Sequence, residues 1–135
     1  MHSTNYYNAF IEVAEDCPVT SAAVPEHNPD KPSVAWMQFD MLIDHPYEFT
    51  SDDVFFQIHA TRKGLTEGLD QERESFYSKG QACFRASPLT KRYGWGVHSN
   101  DKGKVALYPM ESDDYQQYAE DPALEHRKAM RTKRS

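Results

Sequence analysis

The hydrophobic period changes at Gly94, and this change constrains the fold more than any other feature of the chain. Residues 95–99 alternate between apolar and small or polar side chains, as in a strand with one covered face. A turn that ends in Gly103 follows, where a positive φ costs little. Residues 104–108 then alternate again, until a proline stops them. The pattern therefore predicts an antiparallel hairpin of residues 95–99 and 104–108.

The rest of the chain predicts an α+β fold. An N-terminal strand at residues 9–14 is expected to join the hairpin in a small antiparallel sheet, packed with several helices. Residues 33–43 fit either a strand, by their alternation, or a helix, and the Ser33 cap favours the helix. Amphipathic patterns predict two more helices, at 51–63 and 67–79, both packed on the sheet, with Leu65, Leu69 and Phe76 of the second turned inward.

Helix-capping residues support these boundaries. Thr50 precedes two aspartates, which suit the positive end of a helix dipole, and Gly64 follows the same helix. Ser87 followed by Pro88 reads as the start of a short helix. Ser112 precedes another aspartate pair and predicts one more short helix.

The length of 135 residues is typical of one domain, which we expect to span residues 1–135. Residues 18–32 contain four prolines and predict a surface loop. Residues 126–135 carry five basic side chains and predict a frayed tail.

Composition excludes several classes of protein. No apolar run is long enough to span a membrane, and the first ten residues lack the pattern of a signal peptide, so we expect a cytoplasmic protein. The only cysteines, Cys17 and Cys83, are expected to be reduced thiols. No motif for a metal or a cofactor is present, so none is predicted. The net charge of −6 opposes nucleic-acid binding.

The charge is unevenly distributed. Residues 79–104, here called the basic segment, carry six Lys or Arg against one Asp, a net charge of +5. Residues 1–78 and 105–125 are strongly acidic, with net charges of −10 and −6. A positive segment in a negative chain focuses anions locally, but it also pairs readily with the chain's own carboxylates.

The leading functional hypothesis is a non-enzymatic binding module for a small anionic ligand or an acidic or phosphorylated partner. Cationic side chains and hydroxyls beside a helix N-terminus suit such a ligand. The candidate binding residues, with an aromatic ring at the edge, are Arg85, Ser87, Thr90, Lys91, Arg92, Tyr93 and Trp95.

A rival hypothesis is a small enzyme that uses His98 or Cys83 on an anionic substrate. An unperturbed imidazole titrates near neutrality. His98 lies in opposite phase to Trp95, so it either faces a cleft or is an ordinary packed or solvated residue. Cys83 lies beside the basic segment, where its thiolate would be favoured, or it is buried and inert. Trp95 either packs between two glycines or offers a stacking surface to a planar ligand. A third hypothesis is a domain that forms a homodimer through its aromatic surface.

Three stretches carry a resemblance to a known family: YYNAFIEVAEDCPVT, PYEFTSDDVFF and KGQACFRASPLTKRYGWGVHSNDKGKVALY. Together they resemble a small bacterial family of uncharacterised proteins over roughly residues 5–131, most specifically in the string RASPLTKRYGWG. That resemblance implies no activity and no catalytic residues. The hairpin followed by an acidic helix is more loosely similar to MmcQ-type proteins, an analogy of fold alone.

Overall fold

The structure, a computed structural model, describes residues 2–132. It contains a four-stranded sheet in the order β3-β2-β1-β4. The strands are β1 (Ala9–Glu12), β2 (Trp95–Ser99), β3 (Val105–Pro109) and β4 (Glu125–Lys128). Strands β1, β2 and β3 pair antiparallel with one another in sheet order, as predicted, and β4 pairs parallel to β1.

The described residues also form five α-helices, so the α+β fold class is confirmed. They are α1 (Val34–Ile43), α2 (Ser51–Lys63), α3 (Leu69–Phe76), α4 (Pro88–Lys91) and α5 (Asp113–Glu120). A 3-10 turn at Phe84–Ala86 precedes α4. The Pro-rich residues 18–32 form no helix or strand.

The predicted caps begin and end the helices as the local sequence indicates. Ser33 accepts a hydrogen bond from the Trp36 amide, which resolves the ambiguous residues 33–43 as a helix. Thr50 and Asp53 form a reciprocal capping box at the start of α2, and Gly64 ends that helix at a φ of 66°.

The neighbouring Asp52 does not cap the helix but binds the N-terminal segment through hydrogen bonds. Its buried carboxylate accepts hydrogen bonds from the Thr4 amide at 2.7 Å and the Ser3 hydroxyl at 2.6 Å. One aspartate of the pair therefore caps the helix and the other joins two distant segments.

Helix α3 is shorter than the predicted 67–79. Gly68 adopts a left-handed φ of 65°, which delays the start, and Tyr77 ends the helix with its hydroxyl bonded to the Asp52 carbonyl. The helix packs against α2 rather than on the sheet, and Leu69 is 41% exposed instead of turned inward. Only Leu65 and Phe76 of the three predicted inward residues join the small cluster between these helices.

Strand β4 takes up residues 126–128 of the predicted frayed tail. The Glu125 amide donates to the Asn8 carbonyl at 2.9 Å, and the Ala129 amide donates to the Glu12 carbonyl at 2.8 Å. Backbone pairing at a sheet edge needs no apolar side chain, and charged residues are common there. The final residues of that tail, 133–135, lie outside the described residues.

The two faces of the sheet differ in chemistry. On the apolar face, side chains from β1, β2 and β3 pack against side chains from α1, α2, α4 and the 3-10 turn. Together they form the main core: Ile11, Leu42, Val54, Ile58, Phe84, Leu89, Trp95, Val97, Val105 and Leu107. The opposite face, here called the aromatic face, carries Phe10, His98 and Tyr108 beneath α5.

Gly96 allows α5 to approach the aromatic face. A Cβ at this position would lie 2.6 Å from the Tyr115 ring and 2.7 Å from the Phe10 ring. Tyr115 is buried there, and its hydroxyl accepts a hydrogen bond from the Val13 amide at 3.0 Å. The glycine is therefore required by close packing rather than by its own backbone conformation.

Candidate functional site

His98 lies on the aromatic face, in opposite phase to Trp95 and Val97, as its position in the alternation predicts. Its imidazole is half-buried and stacks on the Tyr118 ring of α5, with centroids 4.1 Å apart and planes 18° from parallel. Phe10 sits beside it on β1 and also contacts the Tyr118 ring. The imidazole is thus held between a strand and a helix.

Tyr47 joins the parts of this site. Its hydroxyl lies 2.8 Å from His98 Nδ1, 2.7 Å from the Tyr108 hydroxyl and 3.4 Å from the Tyr118 hydroxyl. We call these four residues the His98 cluster. They come from the loop before α2, from two strands and from α5, so only the tertiary structure brings them together.

The backbone of Tyr47 is strained to reach this position. Its φ is 60°, in the left-handed region that residues other than glycine rarely adopt. The Tyr47 amide donates to the Val105 carbonyl at 3.0 Å, which fixes the loop to β3. Such strain persists only where surrounding contacts enforce it, and it is frequent at functional sites.

The environment favours uncharged forms of the cluster. Burial lowers the pKa of His98, partly opposed by the nearby carboxylate of Asp121. Burial, then the hydrogen bonds to Tyr108 and Tyr118, raise the pKa of Tyr47. Burial also raises the pKa of Tyr108, to about 12. At neutral pH the imidazole is therefore a neutral base, and these two phenols keep their protons.

Only one nitrogen of His98 is engaged. Within residues 2–132, Tyr47 bonds to Nδ1 and no side chain or backbone group hydrogen-bonds to Nε2. A ring oriented through one nitrogen, with the other free, is the arrangement that proton-transfer histidines use.

A second histidine extends the aromatic face. His126 of β4 pairs with Phe10 on the side away from His98, so the three residues form a row across three strands. Its Nε2 lies 2.6 Å from the Asp121 carbonyl oxygen, while its Nδ1 is buried with no partner among the described residues.

The predicted anion-binding residues have other tasks in the structure. Ser87 is 3% exposed, and its hydroxyl donates to Gln38 Oε1 at 2.5 Å. Thr90 is fully buried, and its hydroxyl donates to the Phe84 carbonyl at 2.5 Å. Both hydroxyls therefore stabilise the turn into α4 and do not face a ligand.

The cationic residues of the basic segment contact separate neighbours. Arg85 Nε donates to the Lys128 carbonyl at 2.8 Å, whereas the exposed Arg92 lines a shallow cleft of about 250 Å³ beside Asp16. Lys91 and Tyr93 are half-buried. Arg85 and Arg92 thus have different neighbours, and the two buried hydroxyls bond within the fold.

Trp95 follows the packing interpretation. It is 7% exposed, its indole N–H donates to the Ala23 carbonyl at 2.8 Å, and its ring contacts Phe39 in the core.

Cys17 and Cys83 are free, half-buried thiols, and Cys83 Sγ lies 3.7 Å from the Tyr6 hydroxyl. Burial raises the pKa of Tyr6.

Two further features, a metal-binding group and a membrane-spanning helix, are absent from residues 2–132. No group of three or more His, Cys, Asp or Glu side chains there has the geometry to hold a metal ion. None of the helices in this range is both long and apolar enough to cross a membrane.

The fold and the His98 cluster define an α+β protein with a polar aromatic site. The chain belongs to a family of unknown function, DUF6157, whose model matches residues 1–135. The resemblance to a family of uncharacterised proteins is therefore confirmed. No curated protein and no solved structure matches the chain, so the looser MmcQ analogy stays a prediction.

Proposed function

We propose that the protein is a small enzyme in which His98 exchanges a proton with a bound substrate through Nε2. The observation that carries this proposal is the neutral imidazole fixed at Nδ1 by Tyr47 and stacked on Tyr118, with Nε2 free of protein partners within residues 2–132. Tyr47 is a positioning residue, because it acts through the imidazole.

The charges around the cluster indicate the class of substrate. The carboxylate of Asp121 acts on His98, and that of Asp114 acts on Tyr108. Carboxylates repel an anion and attract a cation. An uncharged or cationic substrate therefore suits this site better than the anionic one expected from the sequence.

Two other hypotheses receive less support from the geometry. Anion binding at the basic segment loses the hydroxyls of Ser87 and Thr90, which are buried and bonded internally. A homodimer through the aromatic surface is less favoured because α5 already packs on the aromatic face, which leaves only the rest of that face to a second copy. A cytoplasmic location remains part of our proposal, and free thiols at Cys17 and Cys83 are consistent with it.

Acylation by diethyl pyrocarbonate tests the state of His98, because the reagent attacks neutral, accessible imidazole nitrogens. Followed by peptide mass spectrometry, His98 should react, and it should still react somewhat below about pH 6.5, the ordinary histidine value, because burial lowers its pKa. A fully protected His98 beside a modified His45 would show a purely structural imidazole.

Hydrolysis of the neutral ester p-nitrophenyl acetate then tests proton-transfer capacity. His98→Gln should abolish the hydrolysis above background, while the matched control His45→Gln should keep it. Equal rates in the two variants, with both folded by circular dichroism, would contradict the proposal.

A further inference from the structure

A cleft with none of the His98 cluster in its lining lies between the first residue of α1, one side of α2 and the end of α3. It encloses about 410 Å³, within the range of small-ligand sites. Its walls are apolar and aromatic: Val34, Phe55, Ile58 and Phe76. The His59 ring packs against Phe76 at a tilt of 36°, with ring centroids 4.4 Å apart, which helps to hold one wall in place.

Two cations stand at the rim of this cleft. Arg62 and Lys63 occupy the last turn of α2, and both are exposed. Neither forms a salt bridge with any carboxylate of the described residues, whereas Arg73 on the neighbouring α3 is paired with Asp53 at 3.0 Å. The helix dipole accounts for cations at this end of α2 but not for the apolar cleft beneath them.

The adjoining surface adds one more cation and one anion. A neighbouring depression shares His59, Lys63 and Phe76 with the cleft and extends to Lys79 and Glu72. The formal charges around the combined surface are thus three positive against one negative, in a chain whose net charge is −6. A local positive rim of this kind attracts anions.

We infer that this cleft binds a small amphiphilic carboxylate, with an aromatic or short aliphatic body. The body lies between Phe55 and Phe76, where its burial supplies affinity. The carboxylate meets the Arg62 guanidinium, whose planar fork matches the two oxygens. A ligand with only one of these two parts leaves half of the cleft unused. Our inference therefore places an anionic ligand at this cleft, whereas the sequence hypothesis placed one at the basic segment.

Titration calorimetry with three matched probes tests both halves of the site: 3-phenylpropionate, its uncharged amide, and acetate. The carboxylate should bind about tenfold or more tightly than the amide, since a hydrogen bond to a charged group contributes about 1.5–3 kcal/mol. Acetate should bind most weakly, and binding of the carboxylate should weaken as salt is added. Equal affinity for acid and amide, or no binding of the acid at millimolar concentration, would overturn the inference.

A pair of variants locates the site. Arg62→Gln should lose about tenfold in affinity for 3-phenylpropionate. The matched control Arg92→Gln, an exposed arginine of the basic segment, should bind as the wild type does. The reverse result would place the anion site in the basic segment and reject the cleft. Amide shifts in two-dimensional NMR provide a second readout, expected at Ile58, Arg62 and Phe76, and unchanged in His98→Gln.

Discussion

The two faces of the sheet are stabilised in different ways. The apolar face is a continuous core of aliphatic and aromatic side chains, in which Val97 and Leu89 are fully buried. The aromatic face is covered by a single eight-residue helix, and its rings carry hydroxyls and an imidazole that bond to one another. The apolar face mainly requires side chains that fit closely together, whereas the aromatic face also requires a hydrogen-bond partner for each buried polar atom.

This difference explains why the candidate site lies on the aromatic face. A short cover leaves His98 half-buried, so its imidazole is desolvated enough to stay neutral and still open at one nitrogen. On the apolar face a histidine would be enclosed by three helices and unable to meet a ligand. The predictions below concern the two faces in turn, and the first three substitutions each have a matched control elsewhere in the chain.

Phe84→Ala should produce the largest effect, on the apolar side. The ring is 1% exposed and contacts Phe55 at a centroid distance of 4.9 Å, so its removal leaves a cavity. We expect a loss of about 3–5 kcal/mol in the free energy of unfolding, measured by urea denaturation. Met130→Ala, at a side chain that is 52% exposed, is the control and should change stability little. A similar loss in both variants would show that the core is not where the structure places it.

Gly96→Ala should be the most damaging small change on the aromatic face. The new methyl group would lie 2.6 Å from the Tyr115 ring, so α5 has to move outward. Overpacking of this kind costs about 1–3 kcal/mol, measured by the same denaturation. Gly80→Ala is the matched control, because a Cβ there meets nothing within 4 Å. Equal stability of the two variants would mean that α5 does not rest on Gly96.

Tyr47→Phe removes the hydroxyl that connects His98 with the other phenols. The loss should be about 1–2 kcal/mol, because Nδ1 of His98 and the Tyr108 hydroxyl each lose a close partner. Nitrogen-15 NMR of the imidazole should show a changed tautomer balance. Tyr7→Phe, at a side chain 54% exposed, is the control. An unchanged imidazole spectrum in Tyr47→Phe would remove Tyr47 from the site.

The pH dependence contributed by His98 should be the smallest effect. Its folded-state pKa is lowered, so the unfolded chain takes up the proton first as pH falls. Stability should therefore decrease from about pH 6.5, the ordinary histidine value, down to the folded-state pKa, and should be unaffected by this residue above neutrality. Subtracting the curve of His98→Gln from that of the wild type isolates this contribution. A difference that falls as pH rises would mean instead that the imidazole is stabilised in its charged form.

The sequence by itself determined the local features of this protein: the helix caps, the hairpin and the face on which His98 lies. The caps at Ser33, Thr50, Ser87 and Ser112 satisfy backbone donors only two or three residues away, so a single chain segment contains both partners. The hairpin likewise follows from the alternation of residues 95–108 and the turn between its strands. His98 was assigned to the face opposite Trp95 for the same reason.

Long-range pairing is what only the tertiary structure decided. Strand β4 has no apolar alternation, because its stability comes from backbone bonds to β1, more than 110 positions earlier in the chain. Ser87 and Thr90 resemble ligand-binding hydroxyls in sequence, and their burial depends on Gln38 and on the 3-10 turn around them. Tyr47, Tyr108 and Tyr118 carry no shared local pattern, since each is supplied by a different element. A site made of such residues exists only once the sheet, the loop and α5 have packed together, because hydrogen bonds act across space and not along the chain.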